Sequence, residues 1–334
     1  MNLAFLGCGA ITRRHARLIG RQHAGVARFF ASRDAGRSAA FNAELGGAGA
    51  FGGYEAALAD PRIDTVLVAT PTAHHLELAL AGLEAGKHVI VEKPPFLHST
   101  DFDLVEREAA KAGKRVFVAE NYYYRPLVRT LRRLIVSGAI GEVRYLIVKA
   151  LKLQRTGGWR DDEAAAGGGA LFEGGIHWVN FMGALGLTIR SVEGFRPGRD
   201  EGIERSMLVV ARYAEGAVGS LFHAWDTPSL LKGLRLSRIY GSAGSIAFES
   251  NGLFVAVAGS RPRLIFPGFR DISGYAAMFA DFFAAIREGR EAEMTLERAR
   301  RDLELVEEAL TQGAGARGQG PGLQATASAP ATSS

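Results

Sequence analysis

Three short stretches of this chain carry side chains whose types and spacing could do chemistry. Near the start, LAFLGCGAIT sets Gly7 and Gly9 between an apolar run and a helical one. Glycines there permit a tight turn and a close backbone approach. The following helix would offer free N–H groups and a partial positive charge to a pyrophosphate. Ala10, Ile11 and Thr12 open that helix, and Thr12 stands where a GxGxxG pattern has its third glycine. A tight strand–helix turn without a ligand is the alternative. In the second stretch, VIVEKPP, Lys93 follows an apolar strand, at the end where open α/β sheets bind ligands. Such an amine can take the proton of an alcohol as its carbon gives up a hydride, and return it in reverse. An ordinary surface lysine at a strand end is the alternative. In the third stretch, GGGALFEGGIHWVN, Glu173 and His177 lie four residues apart, on one face if the segment is helical. The imidazole could share the proton with Lys93 or bind a substrate hydroxyl, with Glu173 orienting it. A satisfied core histidine is the alternative. With no third ligand in sight, the pair makes a poor metal site, and no metal is expected.

The cofactor expectation is finer at the end of the second strand, ARFFASRD. A carboxylate there would hold a ribose 2′-hydroxyl; the chain instead has Ser32 and Arg33, with Arg37 one turn on. A hydroxyl and guanidinium groups suit a 2′-phosphate, so NADP(H) is favoured over NAD(H). Asp34 could serve NAD if the register slips by two.

The elements that must position these residues alternate over the first 121 residues. Near-continuous apolar strands such as DTVLVAT and KHVIVE are separated by helical patterns such as HHLELALAGLEAG. That rhythm predicts an N-terminal Rossmann domain, a doubly wound parallel sheet, over residues 1–121. After Asn121 a helix is followed by runs of strands without intervening helices. These predict a C-terminal α/β domain, residues 122–312, with an open, mostly antiparallel sheet. Residues 313–334 are small, polar and aperiodic, and are expected to be disordered.

Composition bounds the rest. The chain has 334 residues, enough for two cores, with 47% hydrophobic and 22% charged residues. A single cysteine, Cys8, excludes an internal disulfide and suits a reducing, cytoplasmic setting. The apolar start reads as a strand rather than a targeting segment. No apolar run is long enough for a membrane span. The net charge of +5 is scattered, and no nucleic-acid motif appears.

Beyond these residues, ATPTAHHLELALAGLEAGKHVIVEKP resembles the signature of the glucose–fructose oxidoreductase/inositol dehydrogenase (Gfo/Idh/MocA) family. ENYYYRPLVRTLRRLIVSGAIGEV is similar to its domain-crossing segment. GGGALFEGGIHWVN is similar to its second motif, GGGxxxDxGxHxxD, and TLERARRDLELVEEAL to its last helix. The resemblance spans roughly residues 1–312. It implies that Thr70, Pro71, His75, Glu92 and Lys93 lie at the cofactor, with Lys93 near the reacting carbon. It also implies that His177 completes an acid/base pair, and that the substrate is a sugar, sugar derivative or polyol. Homodimers or homotetramers through the C-terminal sheet are implied too. Tyr123, Trp159 and Arg160, with His177, are candidates for substrate contact. The chain departs from the pattern at Glu173 and Asn180, where the family has aspartates, and at Tyr123–Tyr124. Two other readings stay open: a non-catalytic NAD(P)-binding sensor, and a redox-neutral, NAD-using glycosidase.

Overall fold

The computed structural model describes residues 1–158, 166–198, 202–228 and 234–315. The apolar runs of the N-terminal part become strands, most of them buried on both faces, as parallel strands covered by helices must be. They are β1 (Asn2–Leu6), β2 (Ala27–Ala31), β3 (Gly49–Phe51), β4 (Thr65–Val68), β5 (His88–Val91) and β6 (Val116–Val118), all parallel, in the order β3-β2-β1-β4-β5-β6. Helices α1 (Ala10–Gln22), α2 (Ala35–Leu45), α3 (Tyr54–Ala59), α4 (His75–Glu84) and α5 (Asp101–Ala112) make the crossovers. The strand order reverses between β1 and β4, so the crevice for a ligand opens at their C-terminal ends. β3 is the edge strand of this sheet. It is three residues long, begins at Gly49, is followed by Gly52, and is too short to show a period.

The second part begins with α6 (Pro126–Val136), whose Pro126 at the first helical position pre-sets the backbone. An eight-stranded sheet follows, in the order β14-β13-β12-β11-β7-β10-β9-β8. Its strands are β7 (Val143–Leu151), β8 (Ile189–Phe195), β9 (Ser206–Tyr213), β10 (Val218–Ala224), β11 (Leu236–Gly241), β12 (Gly244–Glu249), β13 (Val255–Gly259) and β14 (Arg263–Ile265). All neighbours are antiparallel except β7 and β10. One face is covered by α7 (Ile176–Gly183) and α9 (Leu296–Gly315). On the other face Tyr145, Val218, Phe222 and Leu236 are exposed.

The last two helices differ from the sequence reading in two ways. α8 (Tyr275–Glu288) falls late in the chain yet returns to the N-terminal part: the rings of Tyr275 and Phe279 stand 5.0 and 4.9 Å from that of His15 on α1. The first layer is therefore completed by residues from beyond the expected boundary. α9 runs to Gly315, past the expected end at 312; residues 316–334 lie outside the described residues. Phe5, Phe30, Phe279 and Phe282 are among the fully buried side chains, each contributing about 1.5–3 kcal/mol by leaving water.

Candidate active site

The glycine loop joins β1 to α1. Gly7 has φ +110°, and a Cβ there would stand 2.7 Å from the carbonyl oxygen of Ala69, so only glycine fits the turn. Thr12 is fully buried, and its hydroxyl donates to the Gly7 carbonyl at 2.6 Å. It thus does the packing expected of a third glycine and adds a hydrogen bond to the turn. Gly9 caps α1 without a side chain, and a Cβ built on it meets nothing within 4 Å. Ala10 is exposed and Ile11 half-buried, so the first turn of α1 faces open space. Across the loop, the Thr70 hydroxyl is buried without a partner. Free first-turn amides, an orphaned hydroxyl and a glycine-only turn fit a dinucleotide pyrophosphate.

At the tip of β2, Ser32 is buried and its hydroxyl accepts from the Asp34 amide at 3.2 Å. Asp34 is the N-cap of α2, accepting from the Arg37 amide at 3.1 Å, so its carboxylate already serves a helix end. Arg33 and Arg37 are exposed beside it.

The signature residues divide into those that face the crevice and those that support it. Thr70 and Pro71 are half-buried at its rim. His75 is fully buried, with Nδ1 2.9 Å from the Pro94 oxygen and Nε2 2.9 Å from the Thr70 oxygen. It ties two loops together, with both ring nitrogens engaged by backbone carbonyls. Glu92 is also turned inward: Oε1 lies 2.5 Å from Nε2 of the buried His15, and Oε2 accepts from the Lys93 amide at 3.3 Å. Burial alone would raise this carboxyl; the His15 hydrogen bond and charge, with Lys93, hold it below its usual range. Glu92 is thus held from beneath by His15 and in turn accepts from the Lys93 amide.

Lys93 projects the other way, into a cavity of about 470 Å³ between the two sheets. Its Nζ donates to the Glu173 carbonyl at 2.9 Å and lies 3.8 Å from the Glu173 carboxylate. His177 lines the same cavity. Its Nδ1 stands 2.7 and 2.8 Å from the two carboxylate oxygens of Glu120, and its ring stacks on Tyr122 at 4.4 Å. A carboxylate at Nδ1 makes that nitrogen the donor and leaves Nε2 as the acceptor. Burial pushes the imidazole below its usual range; the Glu120 charge opposes this and the Lys93 charge reinforces it.

Several expectations change here. Glu173 was expected to orient His177 and instead pairs with Lys93. The cause is local: Leu171–Gly175 forms a π-turn before α7 begins, and the wider winding breaks the face that residues four apart share in an α-helix. Glu120, at the end of the first domain, takes the orienting place. Tyr123 is outside this cavity. Its ring lies between the guanidinium groups of Arg132 and Arg298, at 4.5 and 5.2 Å, and lines a separate cleft; Tyr122 is the aromatic neighbour of His177. The glycines of the third stretch pack against protein: a Cβ on Gly174 would stand 2.6 Å from the Trp225 ring. Asn180 is wholly buried and donates to Asp302 on α9 at 2.7 Å, away from the cavity. Trp159 and Arg160 lie outside the described residues.

Other side chains on the cavity wall lie outside the three motifs, Trp225 being an aromatic that the sequence offered for the pocket. Lys152, His223, Trp225 and Arg235 come from strand ends, and Arg14 and Arg125 from α1 and the start of α6. Inward-facing alternation along β7 and β10 could have flagged the first three. Among the described residues, no group of three or more His, Cys, Asp and Glu could hold a metal, and no helix is long and apolar enough to cross a membrane.

Comparison with known proteins agrees with this fold. Residues 1–120 match the family model described as "Oxidoreductase family, NAD-binding Rossmann fold" (GFO_IDH_MocA), and residues 128–247 match the GFO/IDH/MocA C-terminal domain. A D-xylose 1-dehydrogenase (NADP(+)) of Haloferax volcanii is 30% identical over 59% of this chain and 61% of its own. A 1,5-anhydro-D-fructose reductase of Ensifer adhaerens is 29% identical over 64% of this chain and 66% of its own. The chain spans about half the length of other curated relatives it matches. In fold, a levoglucosan dehydrogenase solved with NADH superposes with a TM-score of 0.85 at 21% identity, over 94% of this chain and 97% of that one.

Proposed function

The chain belongs to the GFO/IDH/MocA oxidoreductase family, with its NAD-binding Rossmann fold, and from that premise we propose that it moves a hydride between a nicotinamide dinucleotide and a secondary alcohol or ketone of a sugar, sugar derivative or polyol. The observation that carries this reading is the single cavity lined by both Lys93 and His177, each held by its own carboxylate-bearing residue. When bound, the dinucleotide supplies the hydride acceptor or donor. Lys93 and Nε2 of His177 handle the hydroxyl proton: one holds the oxygen by hydrogen bond, the other takes or returns the proton. Glu120 stabilises the imidazolium when His177 is the acceptor, and Glu173 holds the ammonium of Lys93 over the cavity. The named activities of relatives, on xylose and on an anhydrofructose, support a sugar-like substrate.

The tip of β2 favours NADP(H). Ser32, Arg33 and Arg37 offer donors to a 2′-phosphate, and the nearby carboxylate, Asp34, is committed to capping α2. Assembly through the exposed face of the second sheet is the accompanying proposal. Tyr145 and Val218 are paired across β7 and β10 there, and Phe222 and Leu236 extend the apolar face. A sensor that only reports the cofactor needs neither a buried His–Glu pair nor a lysine aimed at a cavity.

The test is to measure NADP+ and NAD+ affinity separately on the full chain, then to screen polyols and sugars for accumulation of reduced cofactor. Tighter NADP+ binding and net reduction by at least one sugar-like alcohol are expected. Cofactor binding with no net reduction by any member of the panel would favour the sensor or the redox-neutral reading instead.

A further inference from the structure

The wall of the cavity across from Lys93 is built for an anion. The second sheet places β11, β7 and β10 side by side. Alternation fixes which residues at their ends point inward. On β7, Leu146, Val148 and Ala150 are buried, so Lys152 follows on the same face. On β10, Gly219, Leu221 and His223 are inward, and Trp225 continues the series. On β11, Ser237 and Ile239 are inward, and Arg235 precedes them. Three adjacent strand ends thus deliver Lys152, His223, Trp225 and Arg235 to one wall, and all four line the cavity.

These groups leave hydrogen-bonding capacity unused. Arg235 Nε, Trp225 Nε1 and His223 Nδ1 are buried without a partner among the described residues. His223 is 1% exposed, and the Lys152 ammonium lies 5.5 Å from the centre of the Trp225 ring. Among the described lining residues the charge is one-sided. Arg14, Lys93, Arg125, Lys152 and Arg235 are cationic, and Glu173 is the carboxylate that faces them. Arg125 is already spent on the carbonyls of Ile272 and Asn251, and Lys93 on Glu173. Among the described residues, the side chains of Lys152 and Arg235 have no such partner. Half-buried cations and buried donors left in this state cost stability until an anion meets them. The volume, about 470 Å³, suits a monosaccharide beside a nicotinamide ring.

We propose that the substrate is an acidic monosaccharide, whose anionic substituent is received by Lys152 and Arg235 with the indole N–H of Trp225, while its reacting carbinol lies at Lys93 and His177. The placement of the carbinol rests on the hydride-transfer reading above; the anion subsite does not. The state of Lys152 agrees: burial first, then the charge of Arg235, lowers its ammonium to about 8. Glu173 opposes that shift and Lys93 adds to it, with His223 and Trp225 also facing the group. His223, lowered to about 3 by burial and by these cations, is neutral and serves as a hydrogen-bonding wall.

The experiment uses the full chain saturated with reduced cofactor and titrates D-glucuronate, D-glucose 6-phosphate and D-glucose by calorimetry. At least one of the two acids should bind about 100-fold tighter than glucose, as charge-assisted hydrogen bonds would give. Which acid does so identifies the substituent as carboxylate or phosphate ester. Arg235→Gln and Lys152→Met, each checked by thermal melting, should shrink the acid-to-neutral ratio towards one. Glucose binding as tightly as both acids, a ratio unmoved in both folded variants, or no binding by any of the three overturns the proposal. Because binding is read without turnover, failure of hydride transfer alone would count against the catalytic reading and leave the anion subsite standing.

Discussion

Lys93 and His177 are placed by different means, and the difference explains what the sequence could reveal. Lys93 follows an unbroken apolar strand, so its position at the ligand-binding edge is read directly from the run that precedes it. His177 stands out by type, but its partner does not: Glu120 is 57 residues away in the chain and meets it only through the packing of the two domains. The nearer carboxylate, Glu173, looked like the partner and is turned to Lys93 by one π-turn. Glu120 is thus a positioning residue, and Glu120→Gln tests it. We expect kcat to fall about 10- to 100-fold, since general acid–base assistance is worth about 10²–10⁴ and the amide keeps the geometry. Removing the anion also takes away the interaction that opposes burial at His177. The acid limb of the kcat/KM profile should therefore move to lower pH, while thermal melting is little changed. A fall in rate with an unmoved limb would reduce Glu120 to a packing role.

At the scale of elements, strands were legible where their period or apolar run was clear, as in β7 and β10, and illegible in β3 and β14, whose three residues include a glycine or an arginine and show no period. Helix α8 was legible as a helix but not as part of the first layer, because its Tyr275, Phe279 and Phe283 declare an apolar face without saying which sheet receives it. The departure at Asn180 finds its account at this scale. On α7 it donates to Asp302 of α9, whose carboxyl burial pushes up to about 8 against the pull of that hydrogen bond. An aspartate at 180 would set a second carboxyl against this one. The linkage has a definite sign. Asp302 has a folded-state pKa raised above its unfolded value of 3.8, so its contribution is full below about pH 3.8 and is lost as pH rises through about 8. Asp302→Asn should accordingly raise Tm by a few degrees near neutral and alkaline pH, with the gain shrinking towards about pH 4. Differential scanning calorimetry across that range checks it; an equal effect at every pH would show that the carboxyl is not strained by burial.

For the whole molecule, the parallel and antiparallel sheets were both visible in the chain's rhythm, since repeated βα units and consecutive strands admit few architectures. The cavity between them was not, because its wall gathers residues from α1, β5, β7, β10 and the approach to β11 that share no local pattern. The open face of the second sheet belongs to the same scale. A helix-free face bearing Tyr145, Val218, Phe222 and Leu236 is a poor surface to leave in water. Phe222→Asp combined with Tyr145→Asp is expected to turn an oligomer into monomers by light scattering, with cofactor affinity retained. A wild-type chain that is already monomeric at high concentration would remove this face from consideration.

The central claim is that the amine of Lys93 works on the hydroxyl proton during hydride transfer. The most direct measurement is the single-turnover rate of cofactor reduction by Lys93→Met against that of the unaltered chain, with cofactor affinity measured in parallel. The account predicts a fall of about 10²–10⁴-fold in the rate, with dinucleotide binding changed by no more than a few-fold. A variant that reduces its cofactor as fast as the parent would contradict it.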